Sequence, residues 1–175
     1  MVDHKLWYYD AHICEQGHLL TKTAMRGPLC PGEAAFCRDC GAKAVSTCRQ
    51  CSAHIQGVRI PPLGASRDFS MLPLPQAQAY SAPAHCPQCG HAYPWTEARL
   101  KAAADLVDLA EALSPEERAQ LKADLPALAS EGPQSPVAAQ RWKKGLAKLG
   151  GDLYAVGVKV LGDVVTASVK SQLGM

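Results

Sequence analysis

Three C-x-x-C pairs within the first 89 residues constrain this 175-residue chain more strongly than any other feature. The pairs are Cys37/Cys40, Cys48/Cys51 and Cys86/Cys89. The N-terminus has no basic region followed by an apolar run, so we expect no secretory signal and a cytoplasmic location. In that reducing compartment, paired cysteines indicate metal binding rather than disulfide bonds.

The last two pairs, Cys48/Cys51 and Cys86/Cys89, predict one complete zinc site. The segment Cys86–Gly90, with the sequence CPQCG, is typical of a zinc knuckle. Because the glycine after the second cysteine accepts a positive φ, the backbone can turn and point its amides at the sulfurs. Two such knuckles facing each other form a zinc ribbon, in which four thiolates surround the ion.

The pair Cys37/Cys40 needs two further ligands from the upstream segment. We favour Cys14 and His18, because their wider spacing suits an imidazole and Gly17 permits a sharp turn before it. The other upstream candidates are His4, His12 and Cys30; we expect Cys30 to be a small buried or surface thiol. His54, His85 and His91 flank a site that four thiols already fill, so we expect them at the surface or beside the ligands. The predicted ligands of two Zn²⁺ ions are Cys14, His18, Cys37, Cys40, Cys48, Cys51, Cys86 and Cys89.

Two pairing schemes are compatible with these eight ligands. In the sequential scheme, the first four ligands hold one ion and the last four hold the other. In a cross-brace of the RING kind, Cys14/His18 would join Cys48/Cys51, and Cys37/Cys40 would join Cys86/Cys89. We prefer the sequential scheme because only seven residues separate Cys40 from Cys48, a length that suits a tight link between two ribbons.

The composition divides the chain into a metal-binding domain at residues 1–95 and a helical region at residues 96–175. Residues 61–85 are rich in proline and alanine, which predicts a long loop inserted between two ligand pairs. The aromatic opening, Leu6–Tyr9, is interpreted as an edge strand or as a segment packed on the metal domain. The fold class predicted from these features is a small, metal-bound α+β protein with a double zinc ribbon and a helical C-terminal region.

Four helices are predicted after residue 95. The first begins with Thr96 as N-cap. The second has Ser114 as N-cap, Pro115 at the first helical position and Glu117 at the third, the pattern of a capping box, and it ends at about Asp124, before Pro126. The third opens at Ser135-Pro136. The last, at about 152–173, is rich in Val and Gly, and a strand is the alternative for it. Its charged residues form one narrow stripe: Asp152, Lys159, Asp163 and Lys170.

Catalysis is not expected from this sequence. The proposed zinc sites have no open coordination position, and no nucleotide-binding loop or Gly-x-Ser-x-Gly elbow is present. Nucleic-acid binding is the alternative function, since Arg38 and Arg49 lie inside the ligand turns and a basic cluster surrounds Trp142. However, seven thiolates and two Zn²⁺ ions would change the formal net charge from +2 to about −1, which does not favour phosphate binding.

Several segments together resemble a bacterial family of unknown function. They are Tyr9–His18, Phe36–Gly41, Cys48–Cys51, Ile55–Gly57, Cys86–Gly90 and Tyr93–Thr96. The resemblance implies a double zinc ribbon followed by a helical tail, with Cys14 and His18 at ligand-like positions and Cys30 additional to the pattern. It implies no activity. The function we expect is a zinc-binding scaffold or adaptor that mediates protein–protein interaction or self-association through the last helix.

Overall fold

A computed structural model describes residues 8–24, 34–59, 79–130, 132–149, 151–165 and 169–171. The chain divides into two compact units, Met1–Trp95 and Thr96–Met175, which are called unit 1 and unit 2 below. Leu6, Trp7, Cys30 and most of the proline-rich insertion lie outside the described residues. Among the residues that are described, no helix has the length and apolar character needed to cross a membrane.

Unit 1 contains a four-stranded antiparallel sheet with its longest strand at the centre. The strands are β1 (Tyr8–Cys14), β2 (Leu19–Ala24), β3 (Ala44–Val45) and β4 (Gln56–Arg59). Strand β1 pairs with each of the other three; in the register, Asp10 lies opposite both Ala24 and Gln56, and Ile13 lies opposite Val45. The edge-strand interpretation is therefore wrong for Tyr8 and Tyr9. Strand β1 lies between β2 and β3 in the sheet and is therefore not an edge strand. The side chains of Ala11 and Ile13 in this strand are fully buried.

The core of unit 1 joins the sheet to one group of cysteines. Ile13 and Ile55 pack in one cluster with Tyr93, Trp95 and the predicted ligands Cys48 and Cys86. The rings of Tyr93 and Trp95 stack with their centroids 4.7 Å apart. The indole N–H of Trp95 donates to the carbonyl oxygen of Pro83 at 2.8 Å, which satisfies the one polar group of this buried side chain.

Unit 2 is built from helices that surround a core of leucine, valine and alanine. The helices are α1 (Pro94–Leu109), which begins at the end of unit 1, α2 (Pro115–Leu128), α3 (Ser135–Lys148) and α4 (Gly151–Val164). Trp142 of α3 is 1% exposed and donates its indole N–H to the carbonyl oxygen of Leu121 on α2 at 3.0 Å. A short antiparallel sheet followed by helices confirms the predicted α+β class.

The capping box predicted at the start of α2 is confirmed. The Ser114 hydroxyl accepts from the backbone N–H of Glu117, and the Glu117 carboxylate accepts from the backbone N–H of Ser114. The N-cap predicted at Thr96 is wrong, because α1 already begins at Pro94 and Thr96 is buried within its first turn. Proline suits the first helical position, since its fixed φ is helical and its missing N–H has no helical partner there.

Two predicted helix ends also differ from the structure. Helix α2 continues past Pro126 to Leu128. Proline at this position removes one helical hydrogen bond, but burial of Leu125 and Leu128 in the core offsets that loss. Helix α4 ends at Val164 rather than near Leu173, and helical backbone returns at residues 169–171. Consecutive β-branched residues after Gly162 weaken the helix at that point. The strand alternative for α4 is wrong.

Candidate metal centre

The structure brings the eight predicted ligands into two groups of four. The first group, called site A, consists of Cys14, His18, Cys37 and Cys40. The second, called site B, consists of Cys48, Cys51, Cys86 and Cys89. Within each group the potential ligand atoms all lie within 4.8 Å of one another. The grouping follows the order of the chain and is not interleaved.

Site A is held between the β1–β2 hairpin and a separate turn. Cys14 ends β1, and the hairpin returns through Gly17 with a φ of 90°, which places the backbone N–H of His18 3.2 Å from the Cys14 sulfur. The second turn begins at Cys37, whose carbonyl oxygen accepts from the N–H of Gly41 at 2.8 Å. Glycine recurs at the left-handed positions of both turns, as the predicted ligand geometry requires.

Site B is held by two turns of the same construction. The carbonyl oxygen of Cys86 accepts from the N–H of Gly90 at 2.8 Å, and that of Cys48 accepts from the N–H of Ser52 at 2.9 Å. Gly90 has a φ of 73°, and Ser52 takes the equivalent left-handed conformation with a φ of 59°. Short antiparallel bridges, Thr47 to His54 and His85 to Ala92, close the two turns.

The distances between ligand atoms fit a tetrahedral ion and do not fit disulfides. In site B, the sulfurs of Cys48 and Cys89 are 3.7 Å apart and those of Cys51 and Cys86 are 3.6 Å apart. A tetrahedron with zinc–sulfur bonds of about 2.3 Å has edges of about 3.8 Å, whereas a disulfide is about 2.05 Å long. All seven described cysteines are free thiols. The geometry of site B therefore fits a four-coordinate metal ion.

The distances in site A also fit a tetrahedral ion, with three sulfurs and one imidazole nitrogen as ligand atoms. The sulfurs of Cys14 and Cys40 are 3.7 Å apart, and Nδ1 of His18 lies 3.6 Å from the Cys37 sulfur. With a zinc–nitrogen bond of about 2.0 Å, the expected nitrogen–sulfur edge is about 3.5 Å. His18 therefore presents Nδ1, and not Nε2, to the other ligands of site A.

Burial divides the ligands of each site into an inner and an outer pair. Cys14 and Cys37 are buried in site A, and Cys48 and Cys86 are buried in site B, while the other four ligands are exposed. The inner pair of site B also belongs to the hydrophobic core around Trp95. The ligands of site A are not members of that cluster, so only site B is continuous with the core of unit 1 among the described residues.

Backbone amides prepare one thiol of each site for ionisation. The N–H groups of Asp39 and Cys40 lower the pKa of Cys37 to about 7, against the opposing effect of burial. Burial raises the pKa of Cys86, but the N–H groups of Gln88 and Cys89 outweigh it, and the pKa falls to about 6. A thiolate that accepts N–H groups is also the form that binds a metal ion.

The partner thiols are shifted in the opposite direction. Cys89 accepts the N–H of His91, which lowers its pKa, but partial desolvation and the neighbouring thiols outweigh this effect and raise the pKa to about 12. A backbone N–H also lowers the pKa values of Cys40 and Cys51, but partial desolvation and adjacent thiols leave both raised. A divalent cation between the four ligand atoms would remove the repulsion among these sulfurs.

One polar pair beside the ligands was missed in the sequence. Nδ1 of His54 lies 2.7 Å from Oδ2 of Asp10, a β1 side chain that is only 3% exposed. The pair connects the turn that carries Cys48 and Cys51 to the central strand. The alternation of polar and apolar residues in β1 could have indicated such a pair. It places Asp10 and His12 on one side of the strand and the fully buried Ala11 and Ile13 on the other. His12 is buried but belongs to neither ligand group, and His85 and His91 also lie outside both groups.

Comparison with known proteins identifies a family but no characterised relative. A family model described as "Uncharacterized protein conserved in bacteria (DUF2321)" matches residues 7–173. No curated protein and no solved structure shows significant similarity to the chain. The family match covers nearly the whole chain, including both ligand groups and the described helices. The chain therefore belongs to the uncharacterised bacterial family DUF2321.

Proposed function

We propose that this protein is a zinc-binding scaffold whose unit 1 is a double zinc ribbon with one Zn²⁺ in each site. The observation that carries the proposal is the set of ligand-atom separations, 3.6 to 3.7 Å in both sites, which are close to the edges of a zinc-centred tetrahedron. Sulfur-rich ligand sets favour zinc over the hard cations magnesium and calcium. Because the thiolates must stay reduced, the cytoplasm is the proposed compartment.

Both ions would have a structural role rather than a catalytic one. Catalytic zinc keeps an open position for water or substrate, whereas each site here supplies four protein ligands. The thiolates also donate negative charge to the ion and weaken it as a Lewis acid. In site B the inner cysteines are part of the hydrophobic core, so the ion would hold together the packing around Trp95. We therefore propose a protein without enzymatic activity.

X-ray absorption spectroscopy at the zinc edge, on the purified full chain, tests whether protein ligands alone fill the coordination of both ions. The proposal predicts, averaged over two ions, a shell dominated by sulfur at about 2.3 Å with a minor nitrogen contribution at about 2.0 Å. Cys40→Ser should reduce the number of sulfurs, while Cys30→Ser serves as the matched control and should leave the spectrum unchanged. A water oxygen bound to zinc in the wild-type protein would contradict the structural role.

Helix α4 is the proposed assembly or partner-docking element. Tyr154 and Val156 of α4 are 48% and 49% exposed, although both have large apolar side chains. The helix meets its own unit through Gly157, where an added Cβ would lie 2.8 Å from Cδ2 of Leu146. Lys159, on the predicted polar stripe, is exposed. Val156 lies three positions before Lys159 and therefore close to this stripe, whereas Tyr154 lies on a different side of the helix. The exposed surface around Val156 is the one that another protein, or a second copy of the chain, would cover.

The docking role of α4 is tested by Val156→Glu, with Lys159→Glu as the control on the polar stripe. Light scattering measures the assembly state, and pull-downs treated with nuclease identify captured proteins. We expect Val156→Glu to lose the wild-type assembly state or its captured proteins, and Lys159→Glu to keep both. If Val156→Glu retains both, α4 is not the docking element. Captured partners that disappear with nuclease would support the nucleic-acid alternative instead.

The observations for nucleic-acid binding are weaker than those for protein interaction. The guanidinium of Arg49 forms an ion pair with Glu15, which occupies the group that would meet a phosphate. Arg38 is 96% exposed, but a carboxylate oxygen of Asp39 lies 3.9 Å from its Nε. A ligand turn that pairs each arginine with a carboxylate does not form a continuous basic surface.

A further inference from the structure

A groove between α2 and α3 of unit 2 has an apolar interior large enough for one bulky side chain. The cavity has a volume of about 170 Å³, and its inner surface includes Leu113, Leu121 and Gly145. A cavity of roughly 150 Å³ lined by apolar side chains accepts a benzene molecule. None of the residues that line the groove belongs to α4.

The walls of the groove are held in place by close contacts between α2 and α3. An added Cβ at Gly145 would lie 2.7 Å from Cδ1 of Leu121, so the two helices approach closely at this point. The indole N–H of Trp142 donates to the carbonyl oxygen of Leu121 at 3.0 Å and fixes the register between them. The groove is therefore preformed, and a ligand would not have to order its walls.

The rim of the groove carries three cationic side chains of α3 and one carboxylate, Glu117 of α2. The cations are Arg141, Lys144 and Lys148, at spacings of three and four residues that place them on one face of the helix. Arg141 contacts Asp124 at 3.0 Å, and Lys148 is paired with Glu117. Lys144 is exposed and has no ion-pair partner among the residues that the structure describes. One uncompensated cation therefore stands beside the apolar cavity.

The geometry points to this groove as a docking site for an acidic peptide segment of a partner protein. The peptide would place one large apolar side chain in the cavity and a carboxylate beside Lys144. The apolar interior supplies burial, and the positive rim selects against cationic and neutral segments. This assignment is independent of the role of α4, since no residue of α4 lines the groove.

The test uses the zinc-loaded full chain and a fluorescein-labelled hexapeptide with a central Leu-Phe flanked by two Glu on each side. Fluorescence anisotropy should show saturable binding, and amide shifts in ¹H–¹⁵N spectra should be concentrated in α2 and α3. A peptide with Gln in place of Glu is the charge control. Lys144→Glu should weaken binding by roughly tenfold or more. The neighbouring exposed Lys143→Glu is the matched control and should change it by less than about threefold.

Each alternative result would overturn the assignment. Absence of saturable binding would show that the groove does not accept this class of ligand, and equal binding of the Gln peptide would remove the role of the basic rim. If Lys143→Glu weakens binding as much as Lys144→Glu, the attraction is general and not localised in the groove. Stronger, Lys144-dependent binding of a single-stranded RNA of the same charge would assign the surface to nucleic acid instead. Circular dichroism of both variants should match the wild type, since both side chains are exposed.

Discussion

The sulfurs of Cys48 and Cys89 lie 3.7 Å apart although 41 positions separate them in the chain. This contact, with that between Cys51 and Cys86 at 3.6 Å, closes the proline-rich insertion at its base. An ion bound there would replace weak thiol contacts by bonds to a metal. Removal of site B should therefore affect folding more than removal of site A.

Cys86→Ser should abolish the ion in site B and unfold the core of unit 1. Cys86 is 2% exposed and packs with Tyr93 and Trp95, and structural zinc contributes on the order of 10 kcal/mol to the folding of small modules. The matched variant Cys40→Ser removes an exposed ligand of site A and should leave that core intact. The indole ¹H–¹⁵N signal of Trp95 is the measurement. Loss of the Trp95 signal in both variants, or in neither, would contradict the claim that site B supports the core of unit 1 and site A does not.

Ser52→Gly should stabilise unit 1 by about 1 kcal/mol. Ser52 has a φ of 59°, which costs an L-residue energy but suits glycine. The converse control is Gly90→Ala, where φ is 73° and no atom lies within 4 Å of an added Cβ, so that only the backbone is strained. Thermal unfolding of the zinc-loaded protein should show opposite shifts for the two variants. A lower midpoint for Ser52→Gly would show that its hydroxyl has a role of its own.

Zinc binding at pH 7 should release at least three protons per chain. The pKa values of Cys40, Cys51 and Cys89 are raised, so these thiols are protonated before the ion binds, whereas zinc needs thiolates. Cys40 belongs to site A, and Cys51 and Cys89 belong to site B. Counting these protons alone, zinc affinity should rise about tenfold per pH unit in site A and about a hundredfold in site B. Calorimetry in two buffers of different ionisation enthalpy measures the number of protons released. An affinity that does not change between pH 7 and pH 8 would contradict the assigned directions.

Ser114→Ala should destabilise unit 2 by about 1 kcal/mol. The substitution removes the hydroxyl that accepts from the N–H of Glu117 and also contacts the Glu116 carboxylate. Ser114→Thr keeps a hydroxyl at the cap and should recover most of the loss. Thermal unfolding monitored at the helical band tests both variants. Equal stability of Ser114→Ala and the wild type would show that the capping box contributes nothing measurable.

Local chemistry made much of this structure predictable. The ligand turns follow from C-x-x-C spacing with a following glycine, and the start of α2 follows from Ser114, Pro115 and Glu117, because each rests on a few adjacent residues. The sequence does not show features that depend on distant partners. Strand β1 is central because it pairs with β2, β3 and β4, which come from later parts of the chain. Burial of Leu128 favours the continuation of α2 past Pro126.

The candidate site shows the same division between local and distant effects. Ser52 takes the conformation of its glycine counterparts because the turn and the opposite ligands require it, although serine does not signal a positive φ. The contact between Asp10 and His54 depends on the pairing of β1 with residues more than 40 positions away. Neither feature can be read from adjacent residues alone.

Native mass spectrometry of the purified full chain measures directly whether each ligand group holds one zinc ion. We expect two Zn²⁺ ions per chain, with one lost in Cys40→Ser, the other lost in Cys86→Ser, and both kept in Cys30→Ser. Because each ion needs its own four ligands, the two losses should be separate. A wild-type chain that carries no ion, a single ion, or iron in place of zinc would contradict the account.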